Sequence, residues 1–117
     1  FVYNAVDGDT LNTSAGFVRL IGIDAPEKDA FYYETAKNAL DILTRDKEVR
    51  LEKDISERDK YNRLLRYVYL DNISTNEFML ERGYAKTLFL QDVKYKDKYE
   101  DLETKARALG YGLWVNQ

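Results

Sequence analysis

The sequence predicts an α+β domain built round a small β-barrel, and three observations carry that expectation. The first half is rich in β-formers set between tight-turn signals. After Pro26, the only proline, the apolar spacing changes from two to helical. Short strands and helices then alternate to the end. The 117 residues suit one domain spanning positions 1–117, and a chain of that size buries about two-thirds of its unfolded surface.

Phe1–Val6, Thr10–Thr13 and Phe17–Ile23 read as strands, joined by an Asp7-Gly8 turn and a Ser14-Ala15-Gly16 hairpin loop. Tyr33, Ala36, Ala39, Leu40 and Leu43 make a helical stripe, with Asp29 placed to cap it. Glu48–Lys53 alternates as a strand, with Val49 and Leu51 on one face. Arg63–Asp71 is the next strand, turning at Asp71-Asn72. Ser74 followed three residues on by Glu77 is a capping box for a short helix ending near Gly83. Tyr84–Leu90 reads as a last strand. Tyr95, Tyr99, Leu102, Ala106 and Leu109 form a final amphipathic stripe closed by Gly110. The order β-β-β-α-β-β-α-β-α suits a barrel such as the OB-fold, although composition alone does not choose a barrel over an open sheet.

Hydrophobic residues make up 44% and charged residues 33%, which describes a globular chain. No apolar run reaches the roughly 20 residues of a membrane-spanning helix. The chain opens at Phe1 inside an apparent strand. Upstream residues are therefore expected, with a secretion leader or an anchor among them and a secreted or cell-envelope location. A monomer is expected.

Neither cysteine nor histidine is present. Disulfides, zinc–thiolate centres, cysteine nucleophiles and imidazole bases are thereby excluded. Any metal must be held by oxygen, which favours calcium, magnesium or manganese. The net charge of −3 runs against nucleic-acid binding. Locally, however, Lys47, Arg50, Lys53, Arg58, Lys60, Arg63 and Arg66 make the middle of the chain basic, while acids gather in Asp92–Glu103. A solvated, salt-bridged surface accounts for either stretch equally well.

Asp7 and Asp9 flank a hairpin turn, and Asp24 and Glu27 follow the neighbouring strand. Pairing of Thr10–Thr13 with Phe17–Ile23 brings Asp9 and Asp24 to one open end, where a hard cation relieves their repulsion. Arg19 lies in a strand facing away from Val18 and Leu20, and Arg63 opens another strand. Guanidinium groups bind phosphate through paired hydrogen bonds. Each residue alone has a plainer account: an Asp-Gly turn, a strand-end cap, a salt-bridged surface arginine. Together, an acid pair, a spare carboxylate and two arginines are the inventory for phosphodiester hydrolysis.

The stretches Val6-Asp7-Gly8-Asp9-Thr10, Val18–Glu27 (VRLIGIDAPE) and Asp59-Lys60-Tyr61-Asn62-Arg63 occur in that order. Asn76-Glu77, Gly83–Lys86 and Gly112-Leu113-Trp114 follow. In this the chain resembles the staphylococcal nuclease (thermonuclease) family along nearly its whole length. The resemblance implies a five-stranded OB-fold barrel with three helices and a calcium-dependent nuclease that cleaves DNA and RNA to leave 3′-phosphates. It implies that Asp9, Asp24 and the backbone carbonyl of Ala25 hold Ca2+, with Asp7 supporting metal-bound water. It implies Arg19, Glu27 and Arg63 as catalytic residues, with Glu27 the general base, and Lys60 as a phosphate contact. Phe89 and Gln91 align with two nucleotide-flanking tyrosines of the family; Phe89 keeps a ring for stacking and Gln91 does not. Asn62 stands where the family has glycine and accepts the same left-handed backbone. The competing expectations are a non-catalytic nucleic-acid or protein-interaction module of the same fold, and a small binding domain with incidental acids and no calcium dependence.

Overall fold

The computed structural model describes residues 1–90 and 93–115. The strands are β1 (Val2–Asp7), β2 (Thr10–Thr13), β3 (Gly16–Leu20), β4 (Ile23–Asp24), β5 (Arg50–Glu52), β6 (Leu64–Leu70), β7 (Ile73–Ser74) and β8 (Lys86–Thr87). The helices are α1 (Tyr33–Thr44), α2 (Thr75–Glu81) and α3 (Lys96–Leu109), followed by a 3-10 turn at Gly112–Trp114. The architecture is α+β with three helices and a mixed sheet.

The main sheet runs β1-β2-β3-β6-β5, with β7 added to β6; β4 and β8 form a separate pair. β1, β2 and β3 are antiparallel neighbours, whereas β3 and β6 run parallel, the arrangement that requires a long crossover. That crossover carries α1. No ladder joins the edge strands β1 and β5 among the described residues. Val2 nevertheless exchanges two backbone hydrogen bonds with the chain just before β5: Val2 N donates to Lys47 O (2.9 Å) and Asp46 N donates to Val2 O (2.8 Å).

One apolar core fills the space between sheet and helices. Val2, Leu11, Val18 and Leu20 come from the hairpins, Tyr67 and Val68 from β6, Leu40 from α1, Met79 and Leu80 from α2 and Tyr99 from α3. The alternation of β3, with Val18 and Leu20 buried, turns Arg19 to the opposite face as the sequence requires.

Several elements depart from expectation. The strand foreseen over Phe17–Ile23 breaks after Leu20, because Gly22 adopts φ +83° and restarts the chain as β4. A side chain at Gly22 would meet the Tyr99 ring at 2.8 Å. Asp29 does not cap α1: the residue before the helix is Tyr32, left-handed at φ 74°, and no side chain caps the end. The strand foreseen over Tyr84–Leu90 shrinks to Lys86–Thr87. By contrast, Ser74 accepts from Glu77 N at 3.1 Å, Gly110 ends α3 at φ 70° and Asn62 is left-handed at φ 65°. Gln91 lies outside the described residues. Among the described residues no helix is long and apolar enough to cross a membrane.

Candidate active site

The site forms where the β1–β2 turn, the β3–β4 break and the entry to β6 meet. Asp7 ends β1, and its Oδ1 accepts from Asp9 N at 3.0 Å, fixing the turn. Gly8 is needed for room: a Cβ there would stand 2.6 Å from Ala25 Cβ and 3.0 Å from Ala36 Cβ. The close approach seats the Ala25 segment against the turn, and Ala25 N donates to Asp9 Oδ2 at 2.9 Å.

Asp9 is 7% exposed. Burial pushes its pKa up to about 7, against the lowering influence of Arg19, with Asp7 adding to the rise.

Arg19 sits opposite Thr10 in the β2–β3 ladder. Its Nη1 donates to Leu20 O and Ile23 O, both at 2.8 Å, so the guanidinium spans the strand break. Its Nη2 reaches Asp9 Oδ2 at 3.4 Å and Asp24 Oδ1 at 3.5 Å. The structure thus brings Asp9 and Asp24 to one guanidinium, as the hairpin pairing foresaw. Lys86, across the β4–β8 pair, lies 3.9 Å from the other oxygen of Asp24.

Arg63 enters from the loop before β6. Asp59 holds it twice: Oδ1 accepts from Arg63 N at 2.9 Å and Oδ2 from Arg63 Nε at 2.7 Å. Arg63 Nη1 also approaches Thr10 Oγ1 at 3.4 Å, and that hydroxyl donates to Asp9 Oδ1 at 3.0 Å. An unbroken chain of polar contacts therefore runs Arg63–Thr10–Asp9–Arg19–Asp24.

Glu27 stands apart. It is exposed, two residues beyond Ala25, and among the described residues its carboxylate has no hydrogen bond or ion pair; only its backbone carbonyl is engaged, by Ala30 N at 2.9 Å. Beside Arg19 opens a cleft of about 360 Å³, whose lining includes Arg19, Arg58, Lys60, Tyr61, Arg63, Leu88 and Leu90. Lys60 lies over the Tyr61 ring at 5.2 Å, as does Arg63. Phe89 does not line this cleft. It packs half-buried on the core with Lys96 Nζ 5.7 Å from its ring, and Leu88 and Leu90 supply the apolar wall.

Among the described residues no three acidic side chains converge as a ready-made metal cluster. The donors that do meet are all oxygen: two carboxylates on one guanidinium, with the Ala25 peptide bonded to the first. This set of hard oxygen donors fits a divalent cation that completes its shell with water.

Sequence reasoning did not assign roles to Thr10 and Asp59, which link and brace the charged groups. Both stand inside the motifs, and an Asp four residues before an arginine across a turn is the one signal that pointed to the Asp59–Arg63 bracket.

A family model described as staphylococcal nuclease homologue matches residues 17–116. A thermonuclease of Staphylococcus hyicus is 32% identical over 98% of this chain and 75% of its own length. The SPbeta prophage-derived endonuclease YokF of Bacillus subtilis is 34% identical over 94% of this chain, and the endonuclease YncB of the same organism 32% over the same share. The chain spans only 42% and 58% of those two relatives. With Asp9, Asp24, Arg19 and Arg63 meeting in one network and the family model matching residues 17–116, this chain belongs to the staphylococcal nuclease homologue family.

Proposed function

We propose that this chain, as a single domain over residues 1–117, is a calcium-dependent nuclease that hydrolyses phosphodiester bonds of DNA and RNA and leaves 3′-phosphate ends. The observation that carries the proposal is the contact chain Arg63–Thr10–Asp9–Arg19–Asp24 beside a cationic cleft. Relatives named thermonuclease and endonuclease support it. So do the two backbone bonds from Val2 to Asp46 and Lys47, for an OB-type barrel closed through that segment.

Asp9, Asp24 and the carbonyl of Ala25 would hold Ca2+, with Asp7 supporting the water around it. Calcium bound there supplies positive charge to the phosphate oxygens as negative charge grows on them. Arg19 adds a fixed guanidinium on the same side, already oriented by Leu20 O and Ile23 O. Glu27 takes the proton of a water that attacks phosphorus in line. The P–O5′ bond breaks, the phosphate stays on the 3′-oxygen, and Arg63 donates to the departing 5′-oxygen. Asp59 holds Arg63 in place for this, and Lys60 grips a neighbouring phosphate. Leu88 and Leu90 supply the apolar wall for a base within the cleft, and the half-buried Phe89 ring between them in sequence keeps a face for stacking outside its lining.

The test incubates the protein with labelled DNA and RNA, with calcium or with a chelator, and examines the ends. Cleavage in calcium only, to fragments that need phosphatase before they can be extended at the 3′ end, is expected. Calcium-independent binding without cleavage would establish the alternative, a non-catalytic binding module of the same fold.

A further inference from the structure

The segment that carries Glu27 is held in an uncommon way. It runs from Ala25, bonded to Asp9, to Tyr32, the last residue before α1. Two turns lie back to back within it: Ala30 N donates to Glu27 O at 2.9 Å, and Tyr33 N to Ala30 O at 3.2 Å. The third residue of each turn has positive φ, Asp29 at 72° and Tyr32 at 74°. Tyr32, at φ 74° and ψ 4°, occupies a conformation that a type II turn reserves for glycine or asparagine, near about +80°, 0°. A tyrosine is kept there only when its surroundings over-determine it.

Those surroundings are rings. Tyr32 stacks on Tyr84, with centroids 6.0 Å apart and planes 20° apart. Tyr84 in turn meets Phe78 at 6.0 Å. Phe78 belongs to α2, and Tyr84 is tied to the end of that helix through its N–H on Met79 O at 2.9 Å. Phe31 covers Tyr32 from outside at 5.4 Å. Because the Glu27 carboxylate has no partner of its own among the described residues, its position depends on this backbone. The backbone is fixed at one end by Asp9 and at the other by the Tyr32 ring.

We propose that Tyr32, clamped on Tyr84, is a positioning residue for Glu27: the stack locks the two turns and so sets where the carboxylate stands relative to the attacked phosphate. This rests on the reading of Glu27 as general base. Loss of the ring lets the turns relax, and a displacement of about 1 Å in a reacting group lowers rate by about 100-fold.

The experiment measures kcat and KM on one oligonucleotide for Tyr32→Gly, Tyr84→Ala and Tyr84→Phe, each also made in a Glu27→Gln background. Glycine keeps the left-handed backbone at position 32 while deleting the ring, so Tyr32→Gly folds even if Tyr84→Ala does not. The expected result is a fall of about 10–100-fold in kcat for Tyr32→Gly with KM little changed, near-normal kcat for Tyr84→Phe, and no further loss when Tyr32→Gly is added to Glu27→Gln. An unchanged kcat in Tyr32→Gly overturns the proposal, as does an equal loss in both backgrounds, which would mark a general structural role. Full activity of Glu27→Gln would instead overturn the base assignment, and this proposal with it.

Discussion

Arg19 and Thr10 face each other on paired strands, and between them they connect Asp24, Asp9 and Arg63. Arg19 faces both acids, while the Thr10 hydroxyl connects Asp9 to Arg63. Thr10→Val keeps the volume and removes that link. The expected outcome is a fall of about 10–100-fold in kcat with weaker calcium binding and an unchanged fold, read by kinetics and calcium titration. Arg19 was legible in the sequence as turned away from the core because β3 alternates, but Asp24 reaches Asp9 only through the break after Leu20, where Arg19 spans from Leu20 O to Ile23 O. The link made by Thr10 was not legible, since it arises only when Arg63 is carried onto the β2–β3 hairpin, whereas the Asp59 bracket on Arg63 is local to its own turn. Neither was the place of Phe89, which tertiary contacts set: its ring lies half-buried against the core and outside the cleft lining.

α2 is the element that holds the site from behind. Its Asn76 is fully buried, accepts from Val68 N at 3.0 Å and donates to Ile21 O at 2.9 Å, fastening the helix to β6 and to the strand break beside Arg19. At its far end Phe78 and Tyr84 support the Glu27 segment. Asn76→Ala leaves two buried backbone groups unpaired and should destabilise the fold by about 3 kcal/mol, measured by urea unfolding. Local chemistry made α2 and α3 readable: the Ser74 hydroxyl accepts from Glu77 N at the start of α2, and Gly110 ends α3 in a left-handed backbone. It could not show that β3 breaks at Gly22, which depends on Tyr99 arriving from α3, or that α1 begins without a side-chain cap because Tyr32 is held by a ring elsewhere.

Across the whole molecule, two sets of carboxyls oppose each other in pH. Burial works against ionising Asp54 and Asp59, but the Tyr67 hydroxyl and Lys94 N on Asp54, and the Arg63 N and Nε bonds on Asp59, outweigh it and lower both pKa values. Groups lowered in the folded state contribute stability above their unfolded pKa, and that contribution is lost as pH falls below about 4. Asp9 is raised to about 7, chiefly by burial. Its contribution is complete below its unfolded value and is lost as pH rises through about 7. The metal-free protein is therefore expected to melt highest near pH 4 and to lose stability progressively as pH rises from there to about 7. Calcium at about 100-fold its Kd should abolish the decline at higher pH and raise Tm by an amount on the order of 10 °C. Thermal melts across pH, in chelator and in calcium, check both limbs.

In the proposed mechanism the exposed Glu27 carboxylate activates the attacking water. Single-turnover cleavage of a DNA oligonucleotide in saturating calcium, comparing the wild-type chain with Glu27→Gln, tests it most directly. A loss of about 100–10,000-fold in the chemical step, with calcium binding and substrate affinity retained, is expected. Cleavage by Glu27→Gln at the wild-type rate would contradict it.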